Sequence, residues 1–348
     1  MILTQYFVYI TGDCTAGYLC ISGSSTPTPT DGVTGDWCPV GYYCETGTPT
    51  ATPCPAGTQA NVTGLTSSSE CPACQGGYYC GSSGLSEPTA PCQAGYYCIS
   101  GASIDNPTNS PTGDECTVGH YCPTGTAVPI QCDPGTYAPN AQASVCINCT
   151  AGYYCTDGLT LVNCPLGNYC PSGTGNVYEQ CPVGTYGSAT NLASAGDCTQ
   201  CTGGSYCDTP GATGTAGTCT AGYFCTSGSD SATPSGAIGD AGICPAGSYC
   251  PSATVNPQPC QTGYYSNTSG LTANTECTLC DYGKYCTSTG LMEPEGDCDP
   301  GFYCLQGATV PNNAVEDSTG GPCPIGYYCP GGTSLPLGCV AGTYRYVI

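Results

Sequence analysis

The sequence predicts an elongated solenoid or rod of small disulfide-rich repeats, built of short β-hairpins and loops, with almost no helix and no large core. Three observations carry this. Cysteine supplies 35 of the 348 residues, glycine 52 and proline 31. A seven-residue frame, read most fully in Cys38-Pro39-Val40-Gly41-Tyr42-Tyr43-Cys44, recurs thirteen times. Cys and Tyr together make 63 residues, against three Phe, two Met and one Trp, so too little apolar side chain is left for a sizeable core. Glycine and proline interrupt the chain too often for long helices or strands, and cross-links must replace the core.

The frames open at Cys14, Cys38, Cys74, Cys92, Cys116, Cys149, Cys164, Cys201, Cys219, Cys244, Cys280, Cys298 and Cys323. The fourth place is always glycine, which suits a turn with positive φ. The sixth is tyrosine in eleven frames, Leu19 and Phe224 in the others. This ring is expected over a disulfide or an adjacent frame, its hydroxyl in water. Repeated along a rod, such rings would form a thin spine; an aromatic ladder for sugars is the functional alternative.

A longer loop alternates with the frames. It opens with Cys-x-x-Gly and closes on a Cys-x-x-Cys, as in Cys54 to Cys71, Cys132 to Cys146, Cys181 to Cys198 and Cys260 to Cys277; a fifth opens at Cys339. Super-repeats then begin at Cys71, Cys146, Cys198 and Cys277, in steps of 75, 52 and 79 residues, the short step lacking one frame. Such self-similarity marks a quasi-one-dimensional array. The domain reading is an apolar segment 1–13, a partial repeat 14–70, repeats 71–145, 146–197 (short) and 198–276, and a truncated repeat 277–348. Both ends fall inside the pattern, so the chain is expected to be a fragment of a longer repeat protein. The apolar start, Met1 to Ile10, has no basic residue and is too short to span a bilayer. It reads as the place where a partial sequence begins rather than as the tail of a signal peptide.

If each frame and each long loop closes on itself, 34 cysteines pair and Cys339 alone is left over. Another phase joins Cys44 to Cys54 and Cys80 to Cys92 and forces bonds inside Cys-x-x-Cys. Sequence leaves the choice open. In the chain-entropy view, a five-residue loop gives about 2 kcal/mol and a sixteen-residue loop about 3 kcal/mol. A zinc-thiolate reading needs ligand pairs closer together than the four Cys-x-x-Cys copies stand. The cysteine content therefore points to an oxidising compartment.

Net charge is −22, with Lys284 and Arg345 the only basic residues besides His120. This disfavours nucleic acid and anionic membranes as partners. Weak calcium binding by loop carboxylates is a sharper reading of the acids, but no Asp-x-Asp-x-Asp-Gly loop is present. No other cofactor is expected. Catalysis is not expected either, because acid-base and nucleophilic chemistry need positioned His, Lys or thiol groups. His120 and Lys284 each stand where a frame usually has its first tyrosine, and read as surface substitutions. Trp37 sits alone beside Cys38. Covalent glycans are expected: N-linked at Asn61, Asn148 and Asn267, and O-linked at Thr26, Thr28, Thr30, Thr48 and Thr50 in Thr/Pro runs. Asn61 and Asn267 stand seven residues after the opening cysteine of a long loop.

Cys54-Pro-Ala-Gly-Thr through Cys71-Pro-Ala-Cys74-Gln-Gly-Gly-Tyr-Tyr, and the run from Cys181-Pro-Val-Gly-Thr-Tyr to Cys198-Thr-Gln-Cys201, resemble the ephrin-receptor-like cysteine-rich repeats of large extracellular proteins. The likeness extends over nearly the whole chain, although the doubled frames depart from the plain module. It implies a disulfide-rich extracellular protein of the kind found in adhesion and matrix proteins, receptor ectodomains and protist surface proteins, mastigonemes (flagellar hairs) included. A related resemblance, to tumour-necrosis-factor-receptor modules, implies interlocked bonds Cys74–Cys92 and Cys80–Cys98 beside Cys54–Cys71. Two functions are then expected: a building block of an extracellular fibre, appendage or surface layer, with copies of itself or further repeats as partners, or the stalk or ligand-binding region of an adhesive receptor.

Overall fold

A computed structural model of the chain describes residues 12–236 and 241–343. The apolar stretch up to residue 11 and Arg345 lie outside them. The described chain is almost wholly non-helical: sixteen two-stranded sheets, three-residue 3-10 turns at Ser68–Glu70, Ala195–Asp197 and Asn274–Glu276, and no α-helix among the described residues. Seventeen disulfides staple it. Two compact units result: Met1–Val162 with Pro171–Val177, and Asn163–Cys170 with Tyr178–Ile348. The same local plan repeats in each.

Each hairpin joins one frame to the next. The fifth and sixth frame residues form one strand, and the two residues before the next opening cysteine form the other. Tyr42 faces Pro53 and Tyr43 faces Thr52; Tyr223 faces Ile243 and Phe224 faces Gly242. The second strand has no further partner in its sheet, which is why proline is tolerated there, as at Pro53, Pro91 and Pro259.

Backbone bonds from the frame glycine tie neighbours together. The Gly41 N–H donates to the Ala60 carbonyl at 2.8 Å, and its carbonyl accepts from Cys54 at 2.9 Å. The same two bonds recur at Gly77 (to Cys98, from Cys92) and at Gly204 (to Cys225, from Cys219). A second glycine, three or four residues past the frame, closes the remaining groups. The Gly64 N–H donates to the Cys38 carbonyl at 2.8 Å, while the Cys44 N–H donates to the Leu65 carbonyl at 2.9 Å. Gly270 and Cys250 repeat this with Cys244 and Leu271. The chain has no large core, and its buried backbone groups are satisfied by the adjacent frame instead.

The long loops prove to be frames as well. Cys54, Cys132, Cys181 and Cys260 each open a frame whose seventh residue is Ala60, Ala138, Gly187 or Ser266 in place of cysteine. These small residues are buried, and their backbones take the bonds that a closing cysteine takes elsewhere: Gly119 donates to Ala138, Gly167 to Gly187 and Gly247 to Ser266. The opening cysteine then reaches past its own frame to Cys71, Cys146, Cys198 or Cys277. The two kinds of unit read from the sequence are thus one unit with two ways of closing.

At Gly222 two constraints coincide. Its φ is +86°, and a Cβ there would lie 2.7 Å from the Gly270 carbonyl oxygen. Gly222→Ala is expected to destabilise this part of the array by about 1–3 kcal/mol. Hydrogen exchange would report it as faster exchange of the Cys244 and Gly270 amides. Gly214→Ala, where a Cβ meets nothing within 4 Å, should leave them unchanged. Equal effects at the two sites would remove the packing role assigned to the frame glycine.

Candidate functional site

Every short frame closes on itself, from Cys14–Cys20, Cys38–Cys44 and Cys74–Cys80 to Cys323–Cys329. Cys74 bonds Cys80 and Cys92 bonds Cys98, so the interlocked pairs implied by the receptor-module resemblance do not form. Cys339 has no disulfide partner among the described residues. The bridges themselves occupy the interior: Cys38, Cys44, Cys74, Cys80, Cys92 and Cys98 are all 0% exposed. Around them gather small clusters rather than one core.

The tyrosine before the closing position covers the bridge of the next frame, not its own. Tyr43 packs on Cys54 and Cys71, Tyr79 on Cys92 and Cys98, and Tyr285 on Cys298 and Cys304. Most of these rings are half-buried. Tyr303 is buried, and its hydroxyl donates to Glu316 Oε1 at 3.0 Å instead of facing water. Burial and that carboxylate raise the Tyr303 pKa. Trp37 stacks on Tyr18 across the first hairpin, with ring centroids 4.4 Å apart, and its ring edge lies over Gly64. Trp37 therefore packs against both Tyr18 and Gly64.

Three long loops share a carboxylate clamp. Glu70 accepts from the Thr66 amide at 2.6 Å and from its hydroxyl at 2.8 Å. Glu276 does the same with Thr272, at 2.8 and 2.6 Å. Asp197 accepts from the Ala193 and Ser194 amides and the Ser194 hydroxyl. Each acid directly precedes the closing cysteine and ends a 3-10 turn. The fourth loop, Cys132 to Cys146, is three residues shorter, has Val145 at that place, and forms no 3-10 turn. The hydrogen bonds hold all three acids below the usual carboxylate range: the Thr66 amide contributes most at Glu70, the Ser194 hydroxyl at Asp197 and the Thr272 hydroxyl at Glu276. Asp31 is lowered to about 2, chiefly by the Thr34 hydroxyl.

The remaining sites of the sequence reading are scattered. Lys284 Nζ lies 3.0 Å from Asp297 Oδ1, on the residue directly opposite in the hairpin, and this partner raises its pKa. The His120 Nδ1 stands 3.4 Å from the Thr117 hydroxyl and 3.3 Å from the Val118 carbonyl. Asn61, Asn148 and Asn267 are exposed, as are Thr26, Thr28, Thr30 and Thr50, while Thr48 is half-buried. Asn61 and Asn267 directly follow the small seventh residues Ala60 and Ser266, whereas Asn148 sits in the outer strand Ile147–Asn148. Among the described residues no group of three or more His, Cys, Asp or Glu could hold a metal ion. The second glycine lies outside the seven-residue frame. It is legible as a glycine three or four residues after each frame, replaced by Gln142, Asn191 and Ala253, which keep a positive φ.

No known protein-family pattern and no characterised protein matches the chain. The class is defined by fold and bonding: a cysteine-rich protein of disulfide-stapled, repeat-like hairpins. Its bridges suggest a secreted or extracellular protein, and no helix among the described residues is long and apolar enough to cross a membrane. Modules stapled in this way suggest a structural or receptor-like role outside the cell.

The clamps carry a pH dependence. A carboxylate whose pKa is depressed by folding contributes stability that is present above its unfolded pKa, near 4.3 for Glu and 3.9 for Asp, and lost as pH falls through the lower folded value. Below about pH 4 the Thr66 and Thr272 amides should exchange progressively faster, followed by carboxyl chemical shifts of Glu70 and Glu276. The loop of Cys132–Cys146, without a clamp, should show no matching step. Titration of Glu70 and Glu276 at ordinary values would contradict this.

Proposed function

We propose that the chain is a structural building block of an extracellular, glycosylated fibre, appendage or cell-surface layer, with copies of itself or further repeats of the same protein as its partners. The observation that carries this reading is the sameness of the joint between frames. In each unit one set of backbone bonds, from the frame glycine and the second glycine, serves step after step. A surface built by repetition offers the same contact at many places, which suits an open, non-closing assembly. We read the protein as non-catalytic and without cofactor beyond covalent glycans at the exposed Asn and Thr sites. Neither nucleic acid nor membrane insertion fits its charge and composition. An adhesive receptor stalk is the second reading. It is favoured by hairpins that end in longer tips, among them residues 21–34 and 99–112, which offer a ligand more surface than the short hairpin turns elsewhere.

The two readings part in electron microscopy of native material. Labelled antibody to this chain should decorate regular filaments or a continuous layer, and the purified protein should sediment as assemblies that grow with concentration. A monodisperse monomer at high concentration, with isolated label on cells, would replace the fibre reading with the receptor one. Peptide:N-glycosidase should convert Asn61 and Asn267 to Asp, read by peptide mass; unmodified asparagine at both would withdraw the glycan assignment.

A further inference from the structure

We propose that the four long-loop bridges, Cys54–Cys71, Cys132–Cys146, Cys181–Cys198 and Cys260–Cys277, are the sites at which a small thiol opens this array, while the short-frame bridges between them stay closed. Solvent access draws the distinction. Between Cys38 and Cys304 the closing cysteines of the long loops alone rise above 3% exposure: Cys71 is 8% exposed, Cys198 7% and Cys277 6%, and Cys146 is half-buried. Their opening partners Cys54, Cys181 and Cys260 are 0% exposed and Cys132 is 3%. Both cysteines of a short frame such as Cys92–Cys98 are 0% exposed, covered by Tyr79 and Ala102. The closing cysteine of a long loop instead stands between exposed neighbours, such as Glu70 and Pro72 or Val145 and Ile147, so it is reached from one side.

Exchange requires a thiolate to approach one sulfur in line, and the rate follows access as well as nucleophilicity. A thiolate of a dithiol attacks the Cys71 sulfur and forms a mixed disulfide, and Cys54 leaves as thiolate. The second thiol of the reagent then displaces Cys71, leaving the reagent as a cyclic disulfide. Two electrons pass from dithiol to bridge, and both cysteines take up protons from water. Neighbouring charge grades the four loops. Glu70, Asp197 and Glu276 each directly precede a closing cysteine and repel an incoming thiolate, whereas Val145 precedes Cys146 and the acid beside that bridge, Asp133, follows the buried Cys132 instead. The Cys132–Cys146 bridge is therefore the first to open. What results is a chain whose frame ladder persists while its four long loops are released at one end.

The test uses the whole native chain without denaturant, limiting dithiothreitol, and quenching at intervals with iodoacetamide, followed by peptide mapping. The order is read between Cys38 and Cys304, because Cys14–Cys20 and Cys323–Cys329 are also partly exposed. Cysteines of the four long loops should be alkylated before any short-frame cysteine, with Cys132 and Cys146 leading. Glu70→Gln should accelerate labelling of Cys54 and Cys71 and leave the other three loops as they were. Labelling of short-frame cysteines together with or ahead of the long loops, or loss of all bridges in one cooperative step, would overturn the proposal.

Discussion

Close approach between a frame glycine and the carbonyl of a second glycine two frames further on is the constraint the rest of the structure depends on. Gly17 meets the Gly64 carbonyl and Gly57 the Gly101 carbonyl, each at a distance where a Cβ would lie 2.7 Å from the oxygen. Both partners also need a positive φ, at +90° for Gly17 and +82° for Gly64. Bare backbone on both sides lets consecutive frames sit near enough for their N–H and C=O groups to bond each other. Any side chain at the first glycine would push the next frames away and break those bonds together.

Disulfides then do a different job from the ladder. A self-closed frame of five intervening residues fixes one turn but joins no two frames, since Cys38–Cys44 and Cys74–Cys80 are each local. Continuity from frame to frame belongs to the backbone bonds and to tyrosines such as Tyr79, which lie on the neighbour's bridge. Cross-linking keeps each rung in shape, and glycine pairing sets the spacing of the rungs. This division explains how so few aliphatic residues suffice: the buried material between frames is sulfur, one aromatic face and peptide.

Much of this was legible in the sequence because it repeats. Cysteine spacing gave the frame, and constancy of glycine at its fourth place gave the turn. The non-helical, hairpin character followed from Gly and Pro content. The long loop looked like a separate unit because cysteine at the seventh place is the eye's marker for a frame; Ala60, Ala138, Gly187 and Ser266 share only small size, a weak signal in a chain rich in Gly, Ala and Ser. The second glycine was masked by variable spacing, three or four residues past the frame, and by Gln142, Asn191 and Ala253. Tyr43 and Tyr79 could be assigned to a bridge but not to whose, since only the hairpin register decides that the ring points onward. Of the residues singled out for chemistry, Lys284 and His120 were read as surface substitutions, and Asp297, the partner of Lys284, is opposite it only through that register.

The long loops show how the frame tolerates losing its second cysteine. A small seventh residue fills the space, and a distant cysteine closes the bridge over fourteen or seventeen positions instead of six. The longer path must then be held by something other than the ladder. Where the two cysteines stand seventeen positions apart, a carboxylate before the closing cysteine binds an amide and a hydroxyl just ahead of the turn, as Glu70 binds those of Thr66. Where they stand only fourteen apart, the 3-10 turn is absent and so is the acid. Loop length and clamp therefore vary together: three added residues bring extra unpaired amides, and the acid is placed to satisfy them. The closing cysteine reaches solvent in all four loops, most of all at Cys146 where the 3-10 turn is missing, so borrowing a remote partner also leaves that partner within reach of solvent.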